Sequence, residues 1–338
     1  MSNPVIKIKF QNGLTLEGFK KEVFEIYELT SIYQFEESSN PDFIIFGPYG
    51  NDIPPKGNYI RIGYFCENIK PDLAICEWAF GVPREEEINH PNYTQIQWHG
   101  LNPQLLVKPA QYDAEKILAS KTKFCNFLYS NSVPYREAFF RGLSEYKKID
   151  APGISMNNMP AIDSVGGDRW NTKRQFLSAY KFTIAFENDI YPGYQTEKLY
   201  DAMIANSIPI YCGDPFISDI FNTKSFINAA EYLPSKNLQL IKKMAKLGQM
   251  DFDDIRPAFF NAPSNRIKRK IKSYIRAAKA NLQFTRMNFA PLINRVIALD
   301  TTPALYMQYL EQPWLKNNAV PANSSARKRW IEIFDAMK

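Results

Sequence analysis

The sequence predicts an α/β protein built from parallel sheets, and three observations support this fold class. Residues 180–187 have a strand pattern, 196–204 have a helical pattern and 207–212 form a second strand-like run, which together make a βαβ unit. The apolar runs 42–47 and 58–65 are typical of strands that are buried on both faces. Residues 124–129 form another apolar run, and Pro134 follows it near the start of a predicted helix.

In the first part of the chain, the pattern predicts a small α/β domain over residues 1–115. Strands are predicted at 5–10, 42–47, 58–65, 73–80 and 94–98, and a helix at 16–29. The helix has apolar residues at helical spacing, and the strands alternate or are continuously apolar. We expect loops of this domain to take part in ligand binding.

A polar linker with a short helix over 108–120 leads into a second predicted domain, residues 116–300. It contains a strand at 124–129, a helix at 135–146 and the βαβ unit of 180–212. Residues 301–338 hold two further predicted helices, 303–314 and 325–337, which we expect to close the fold and to return to the first domain.

Composition limits the class of protein. The chain has 338 residues, of which 45% are hydrophobic, enough for two domains with cores. Its net charge of +6 fits an anionic ligand or membrane surface and does not call for nucleic acid. The four cysteines show no C-x-x-C pairing and sit mostly in apolar runs, which favours reduced, buried thiols. The first residues are unlike a signal peptide and no apolar run reaches about 18 residues, so a cytoplasmic location is expected.

Residues 264–282 are predicted to form a basic amphipathic helix. Seven Lys and Arg residues alternate there with apolar residues at spacings of three and four. Such a helix can lie on the inner face of an anionic membrane, which would make the protein peripheral. The alternative is a helix that packs on its own domain with a solvated basic face.

The loop and first helical turn of the βαβ unit carry a set of polar residues. Asn188, Tyr194, Glu197 and Lys198 fall where the loop opens at the carboxyl end of the sheet, the place where ligands bind in open α/β sheets. A helix N-terminus favours an anion, so Lys198 there indicates a phosphate-bearing ligand, and Glu197 could bind sugar hydroxyls. The alternative is an ordinary helix start, capped by Thr196, with solvated side chains.

Two more charged residues lie at predicted strand ends. Arg136 falls in the first turn of the predicted helix 135–146, again a helix N-terminus suited to phosphate, or else it is a solvated surface arginine. Glu67 directly follows the strand 58–65, where aromatic neighbours would raise the pKa of its carboxyl toward that of a general base. The alternative for Glu67 is a solvated or capping residue.

Other chemistries lack support in the sequence. There is no G-x-G-x-x-G and no Walker motif, and the two histidines, His90 and His99, share no metal-ligand spacing. The acidic run 251–254 is typical of a helix start, so no metal site is expected.

Several of these motifs resemble glycosyltransferase family 10, the α-1,3/4-fucosyltransferases. The similarity rests on Phe186-Glu187-Asn188, Tyr194, Thr196-Glu197-Lys198-Leu199, the run 208–213 and Ser225-Phe226-Ile227. A second element, Ser130-Asn131 with Pro134, Arg136 and Phe139, and a third, Phe65-Cys66-Glu67-Asn68, also resemble family segments. The third has Cys66 where the family commonly has Gly.

The resemblance implies a GT-B fold, with two Rossmann-like domains facing across a cleft, and an inverting transfer of fucose from GDP-fucose to a glycan hydroxyl, such as GlcNAc or Glc of a lipopolysaccharide- or Lewis-type acceptor. By the same resemblance, the domain of residues 1–115 binds the acceptor and the domain of residues 116–300 binds GDP-fucose. Glu67 is then the general base. Arg136, Asn188, Tyr194, Glu197 and Lys198 bind the donor. The resemblance implies no metal cofactor.

Two other classes remain open from the residues alone. A GT-B transferase with another nucleotide sugar would keep the phosphate-binding residues. A non-enzymatic module that binds nucleic acid or membrane through residues 264–282 would not need the phosphate-binding residues. The presence of such residues at two separate strand ends argues against this class.

Overall fold

The computed structural model describes residues 3–48, 50, 52–67, 71–162, 169–249, 264, 267, 271, 287–321 and 325–336. Its elements form two parallel β-sheets with helices packed against them, as the sequence predicts. The predicted basic helix 264–282 lies outside the described residues except at 264, 267 and 271, and the acidic run 251–254 lies outside them entirely.

Sheet I has six parallel strands in the order β2-β1-β3-β4-β5-β6. Their bounds are β1 Val5–Gln11, β2 Gln34–Glu37, β3 Phe43–Phe46, β4 Ile60–Phe65, β5 Trp78–Gly81 and β6 Tyr93–Gln95. β3 is buried throughout, as expected for a central strand with both faces covered. The strand predicted over 73–80 is shorter and begins only at Trp78.

The helix predicted over 16–29 is broken into three pieces. The α-helix α1 spans Leu16–Phe19, a wider π-type turn spans Lys20–Phe24, and a 3₁₀ turn spans Leu29–Ser31. Glu28 adopts a left-handed conformation, with φ of 56°, and so ends the α-helical path. A short helix α2, Glu85–Ile88, follows β5.

Sheet II has five parallel strands in the order β11-β10-β9-β7-β8. Their bounds are β7 Lys123–Asn126, β8 Ile149–Asp150, β9 Tyr180–Phe186, β10 Ile208–Cys212 and β11 Ile227–Asn228. The helices around it are α3 Ala114–Ser120, α4 Pro134–Ser144, α5 Arg169–Ser178, α6 Glu197–Ile204, α7 Ala229–Tyr232 and α8 Ser235–Gln249. Strand β9, helix α6 and strand β10 form the predicted βαβ unit, and β9 and β10 pair in parallel.

Three later helices divide between the two sheets. Helices α9, Ala290–Thr301, and α10, Pro303–Glu311, bury Leu292 and Tyr306 in the core of sheet II. Helix α11, Ser325–Asp335, instead packs into the core of sheet I. There the fully buried Trp330 stacks on Phe80, with ring centroids 4.1 Å apart.

A third apolar cluster joins the two sheets. Trp98, which follows β6, packs against Tyr200 of α6 and Phe221, with ring centroids 5.6 and 6.1 Å away. Nearby, Arg84 forms an ion pair with Asp219 at 2.9 Å. These contacts fix the relative placement of the strand ends on which the polar side chains lie.

Among the described residues, no helix combines the length and the apolar character that crossing a bilayer requires.

Candidate active site

The carboxyl ends of the strands carry the charged residues singled out from the sequence. Glu67 lies two residues beyond the end of β4 and is half-buried. Asn188 lies two residues beyond the end of β9 and is exposed. Arg136 is the third residue of α4, and Glu197 and Lys198 are the first two of α6.

Helix α6 begins as the sequence predicts. Thr196 has an extended backbone, and its hydroxyl accepts a hydrogen bond from the N–H of Lys198, so it is the N-cap. Because the cap fixes the first turn, the side chains of Glu197 and Lys198 start from a defined point at the end of sheet II.

One cavity of about 430 Å³ brings together Arg136, Asn188, Glu197 and Lys198. Tyr194 and Glu67 do not line this cavity. Its wall also includes residues from the loop after β7, the segment after β8 and helix α5: Tyr129, Ser130, Asn131, Pro152, Gly153, Ile154, Trp170, Thr172 and Lys173.

Arg136 is a fully buried cation without a carboxylate partner among the described residues. Its side chain is 0% exposed. One terminal nitrogen donates to the Phe186 carbonyl at 3.1 Å and to Asn188 Oδ1 at 3.2 Å. The other donates to the Asn131 carbonyl at 2.9 Å. Since buried charges are normally paired, this guanidinium is suited to an anion that enters the cavity.

A second stabilising contact comes from an aromatic ring beside the guanidinium. The Tyr129 ring lies 3.6 Å from the Arg136 guanidinium carbon, a cation–π arrangement. The Arg136 Nε has no hydrogen-bond partner within the described part of the chain. The plane of the guanidinium is therefore held in place by one aromatic face and three acceptors.

Lys198 sits between two carboxylates. Its Nζ lies 3.5 Å from Glu187 Oε2 and 3.3 Å from Glu197 Oε1, and it donates to Thr196 Oγ1 at 3.0 Å. Burial alone would lower the pKa of Lys198, but Glu187 and Glu197 raise it overall. The ammonium is therefore charged at neutral pH and stands at the N-terminus of α6, where an anion is favoured.

The two carboxylates differ in environment. Burial raises the pKa of Glu197, but Lys198 and Lys173 together lower it to about 2, so it is ionised. Burial raises the pKa of Glu187 above its ordinary value, although Lys198 opposes this rise. Only Glu197 lines the cavity, so it is the carboxylate that can accept hydrogen bonds from ligand hydroxyls.

Tyr194 links the two sheets electrostatically. Burial raises the pKa of its phenol, and the carboxylates of Glu187 and of Glu67 raise it further. Glu67 therefore lies on the sheet I side of the same junction, within electrostatic range of the residues at the start of α6. The Glu67 carboxylate therefore lies on the sheet I side, whereas the cations Arg136 and Lys198 lie on the sheet II side.

Several residues with a role in this geometry were not singled out from the sequence. Glu187 belongs to one of the family-like motifs but had no assigned role, and Tyr129 and Lys173 were not considered. The position of Glu187 directly after an apolar strand, next to Asn188, is the signal that could have found it. The packing of Tyr129 on Arg136 depends on tertiary structure and left no comparable pattern.

No group of three or more His, Cys, Asp or Glu side chains among the described residues is placed to hold a metal ion. The charges that the cavity offers a ligand include those of Arg136, Lys198 and Glu197. Lys173 also lines the cavity, but it pairs with Asp201 at 2.8 Å. The other two cations and the ionised carboxylate suit a ligand that carries both phosphates and sugar hydroxyls.

Comparison with known sequences shows that residues 118–253 match the family described as "Glycosyltransferase family 10 (fucosyltransferase) C-term". Over 119 residues, 34% of this chain, it is 42% identical to putative fucosyltransferase R654 of Acanthamoeba polyphaga mimivirus. Over 113 residues, 33% of this chain, it is 37% identical to alpha-(1,3)-fucosyltransferase FucT of Helicobacter pylori. The matched part spans only 19% and 22% of these two relatives.

Solved structures extend the likeness over the chain. An alpha1,3-fucosyltransferase structure aligns with 99% of this chain and 91% of its own, with a TM-score of 0.63 at 21% identity. A structure described as alpha1,3-fucosyltransferase with GDP-fucose gives a TM-score of 0.61 over 100% of this chain, also at 21% identity. At this identity the likeness shows the fold, and it confirms the predicted GT-B architecture.

Proposed function

We propose that this chain transfers fucose from GDP-fucose to a hydroxyl of a glycan, because residues 118–253 match the family described as "Glycosyltransferase family 10 (fucosyltransferase) C-term". The observation that carries the proposal is the fully buried Arg136 guanidinium, which has no carboxylate partner among the described residues and faces the same cavity as Lys198. An anionic diphosphate supplies the missing counter-charge.

The donor occupies the cavity at the end of sheet II. Arg136 and Lys198, with the N-terminus of α6, hold the diphosphate. Glu197 accepts hydrogen bonds from hydroxyls of the ribose or fucose, and the Asn188 amide can accept or donate them. Tyr194, two residues before the N-cap of α6, shapes the passage from the donor to the acceptor.

The acceptor binds on the sheet I side, where Glu67 lies. Glu67 takes the proton from the acceptor hydroxyl as its oxygen forms a bond to the anomeric carbon of fucose. The bond from that carbon to the diphosphate breaks on the opposite face, so the configuration inverts. Arg136 and Lys198 stabilise the negative charge that builds on departing GDP. GlcNAc or Glc of a lipopolysaccharide- or Lewis-type glycan is the acceptor class that we propose.

Glu67→Gln tests this assignment. The amide cannot accept the hydroxyl proton, so we expect kcat for formation of fucosylated product to fall by about 10²–10⁴-fold. The affinity for GDP-fucose, measured by calorimetry, should change little because Glu67 does not line the donor cavity. Glu25→Gln, at an exposed position in the same half of the chain, is the control.

An unchanged kcat in the Glu67→Gln variant would remove Glu67 from the reaction. A calorimetric panel of GDP-fucose, GDP-mannose and UDP-galactose separates this function from a transferase with a different donor. If the protein binds GDP-mannose or UDP-galactose more tightly than GDP-fucose, the donor is that nucleotide sugar instead. A glycan array supplied with GDP-fucose identifies the acceptor.

A further inference from the structure

Glu187 is a carboxylate enclosed at the end of β9. Its side chain is 0% exposed. Its Oε1 accepts the Thr196 backbone N–H at 2.9 Å, and its Oε2 accepts the Thr196 hydroxyl at 2.7 Å. Gly213 closes the far side, because a Cβ there would lie 2.6 Å from Glu187 Cγ. The carboxylate is thus fixed in place and cannot swing into solvent when a ligand arrives.

The charges around Glu187 do not balance. Glu187, Glu197 and Lys198 form one cluster, with the ammonium 3.5 and 3.3 Å from the two carboxylates. Within this cluster, two negative charges share one positive charge before any donor is bound. Lys173, which also lowers the pKa of Glu197, has its own carboxylate partner in Asp201 at 2.8 Å. The neighbouring elements also bring neutral phenols and one thiol toward Glu187: Tyr129, Tyr194, Tyr200, Tyr211 and Cys212. Two further charged groups lie near it: Asp214, which acts on the same Tyr200 and Tyr211, and Arg136, which donates to the Phe186 carbonyl.

We propose that Glu187 takes up a proton when the diphosphate of the donor binds beside Lys198. This inference rests on the proposed function. The diphosphate of a sugar nucleotide brings two negative charges to Arg136 and Lys198, and the ammonium of Lys198 is already shared with two carboxylates. Like charges at close range disfavour ionisation, and Glu187 is the carboxylate without access to water, so it is the group that neutralises.

The hydrogen bonds at Glu187 are compatible with the added proton. A neutral carboxyl group still accepts the Thr196 N–H with one oxygen, and its new O–H can be donated to Thr196 Oγ1. The Thr196 hydroxyl hydrogen is then released from Glu187 Oε2. Lys198, no longer paired with Glu187, directs its ammonium to the diphosphate. The proton comes from solvent, and no bond between heavy atoms forms or breaks.

Calorimetry with GDP-fucose, in the absence of acceptor, measures the proton directly. The binding enthalpy is compared at about pH 7 in buffers with different enthalpies of ionisation, which gives the number of protons taken up per donor bound. GDP-fucose is the probe because each of its phosphates carries one ester bond and the shared anhydride bond, so neither titrates near neutral pH. The terminal phosphate of GDP titrates near pH 6 and would add its own proton.

Glu187→Gln and Glu137→Gln make a matched pair. Both side chains are buried carboxylates. Glu137 accepts a hydrogen bond of 2.8 Å from the Ser155 hydroxyl, and it does not line the cavity. We expect net proton uptake in the wild type and in the Glu137→Gln variant, and none in the Glu187→Gln variant. Full uptake in the Glu187→Gln variant, or none in the wild type, would overturn the inference.

The wild-type protein offers a second measurement that does not depend on a variant folding. If binding takes up a proton, the Kd for GDP-fucose rises with pH, by up to about tenfold per pH unit. A Kd that is constant between about pH 6 and about pH 8 contradicts proton uptake while leaving GDP-fucose binding intact. Failure of the wild type to bind GDP-fucose at all contradicts the proposed function itself, and with it this inference.

Discussion

At the scale of single residues, Arg136 shows how the fold prepares a charge for a ligand. Three acceptors and the Tyr129 ring hold its guanidinium, and these contacts need its planar, forked shape. A fully buried cation is costly unless an anion compensates it. In the proposed function the diphosphate of the donor compensates this cost, and the guanidinium is already oriented for it.

Arg136→Lys should lower the affinity for GDP-fucose by about tenfold or more, since the lysine ammonium reproduces neither the fork nor the stacking on Tyr129. Calorimetry gives the change in Kd. Arg141→Lys is the control, because Arg141 lies on the same helix and is half exposed, pairing with Glu137 at 3.3 Å. Equal affinities of the Arg136→Lys variant and the wild type would show that the diphosphate does not bind at Arg136.

At the scale of elements, the hydrophobic periodicity and capping residues of the sequence predicted some helices and strands well and others wrongly. The unit from Tyr180 to Cys212 was placed nearly to the residue because its strand, capping threonine and helix are all marked locally. The prediction of one continuous helix over 16–29 was wrong. Phe19, Val23 and Phe24 are all buried against sheet I, and a π-type turn brings them there. Tertiary packing overrides helical periodicity in that case.

The candidate site shows the same division. The positions of Glu67, Arg136 and Lys198 could be predicted because, in each parallel sheet, ligand-binding side chains lie just beyond the carboxyl ends of the strands. The role of Glu187 could not, because its pairing with Lys198 depends on side-chain directions that only the folded chain defines. The segment 264–282 lies outside the described residues apart from three positions, so its membrane contact stays a prediction.

Helix α11 is an element whose contribution to stability can be measured. Trp330 is fully buried against Phe80, Phe19 and Phe24. Trp330→Ala should lower the free energy of unfolding by about 3–5 kcal/mol, as found for large aromatic residues removed from cores. Denaturant unfolding measures the change. Lys328→Ala, on the exposed face of the same helix, should change the free energy of unfolding by less than about 0.5 kcal/mol.

A loss at Trp330 no larger than that at Lys328 would show that α11 does not pack on sheet I in solution.

At the scale of the whole molecule, the two sheets approach closely at Gly193. This residue has φ of +85°, and a Cβ on it would lie 2.7 Å from the Val82 carbonyl and 2.4 Å from Gln95 Nε2. Val82 and Gln95 belong to the sheet I side, whereas Gly193 belongs to the loop that carries Tyr194. The spacing between Glu67 and the donor cavity therefore depends on a position that tolerates no side chain.

Gly193→Ala should push the loop away from Val82 and reduce kcat by about tenfold or more, because small misplacements of reacting groups are costly. Steady-state kinetics with GDP-fucose and an acceptor identified on the array measures it. Gly100→Ala is the matched control, since Gly100 also has a positive φ, +67°, but no atom lies within 4 Å of its Cβ position. It should lose about 1 kcal/mol of stability and keep its kcat.

If both glycine variants lose kcat equally, backbone strain rather than the contact between the sheets sets the rate.

The placement of α11 has a consequence for how the protein is made. The strands of sheet I leave the ribosome first, yet the helix that covers Phe80 and pairs Asp335 with Tyr33 at 2.8 Å is translated only after the whole of sheet II. Sheet I must therefore keep part of its aromatic surface uncovered until α11 is made, which happens only after the strands of sheet II have been translated. Nascent chains stalled before residue 325 should expose that surface to chaperones, and release of the following residues should bury it.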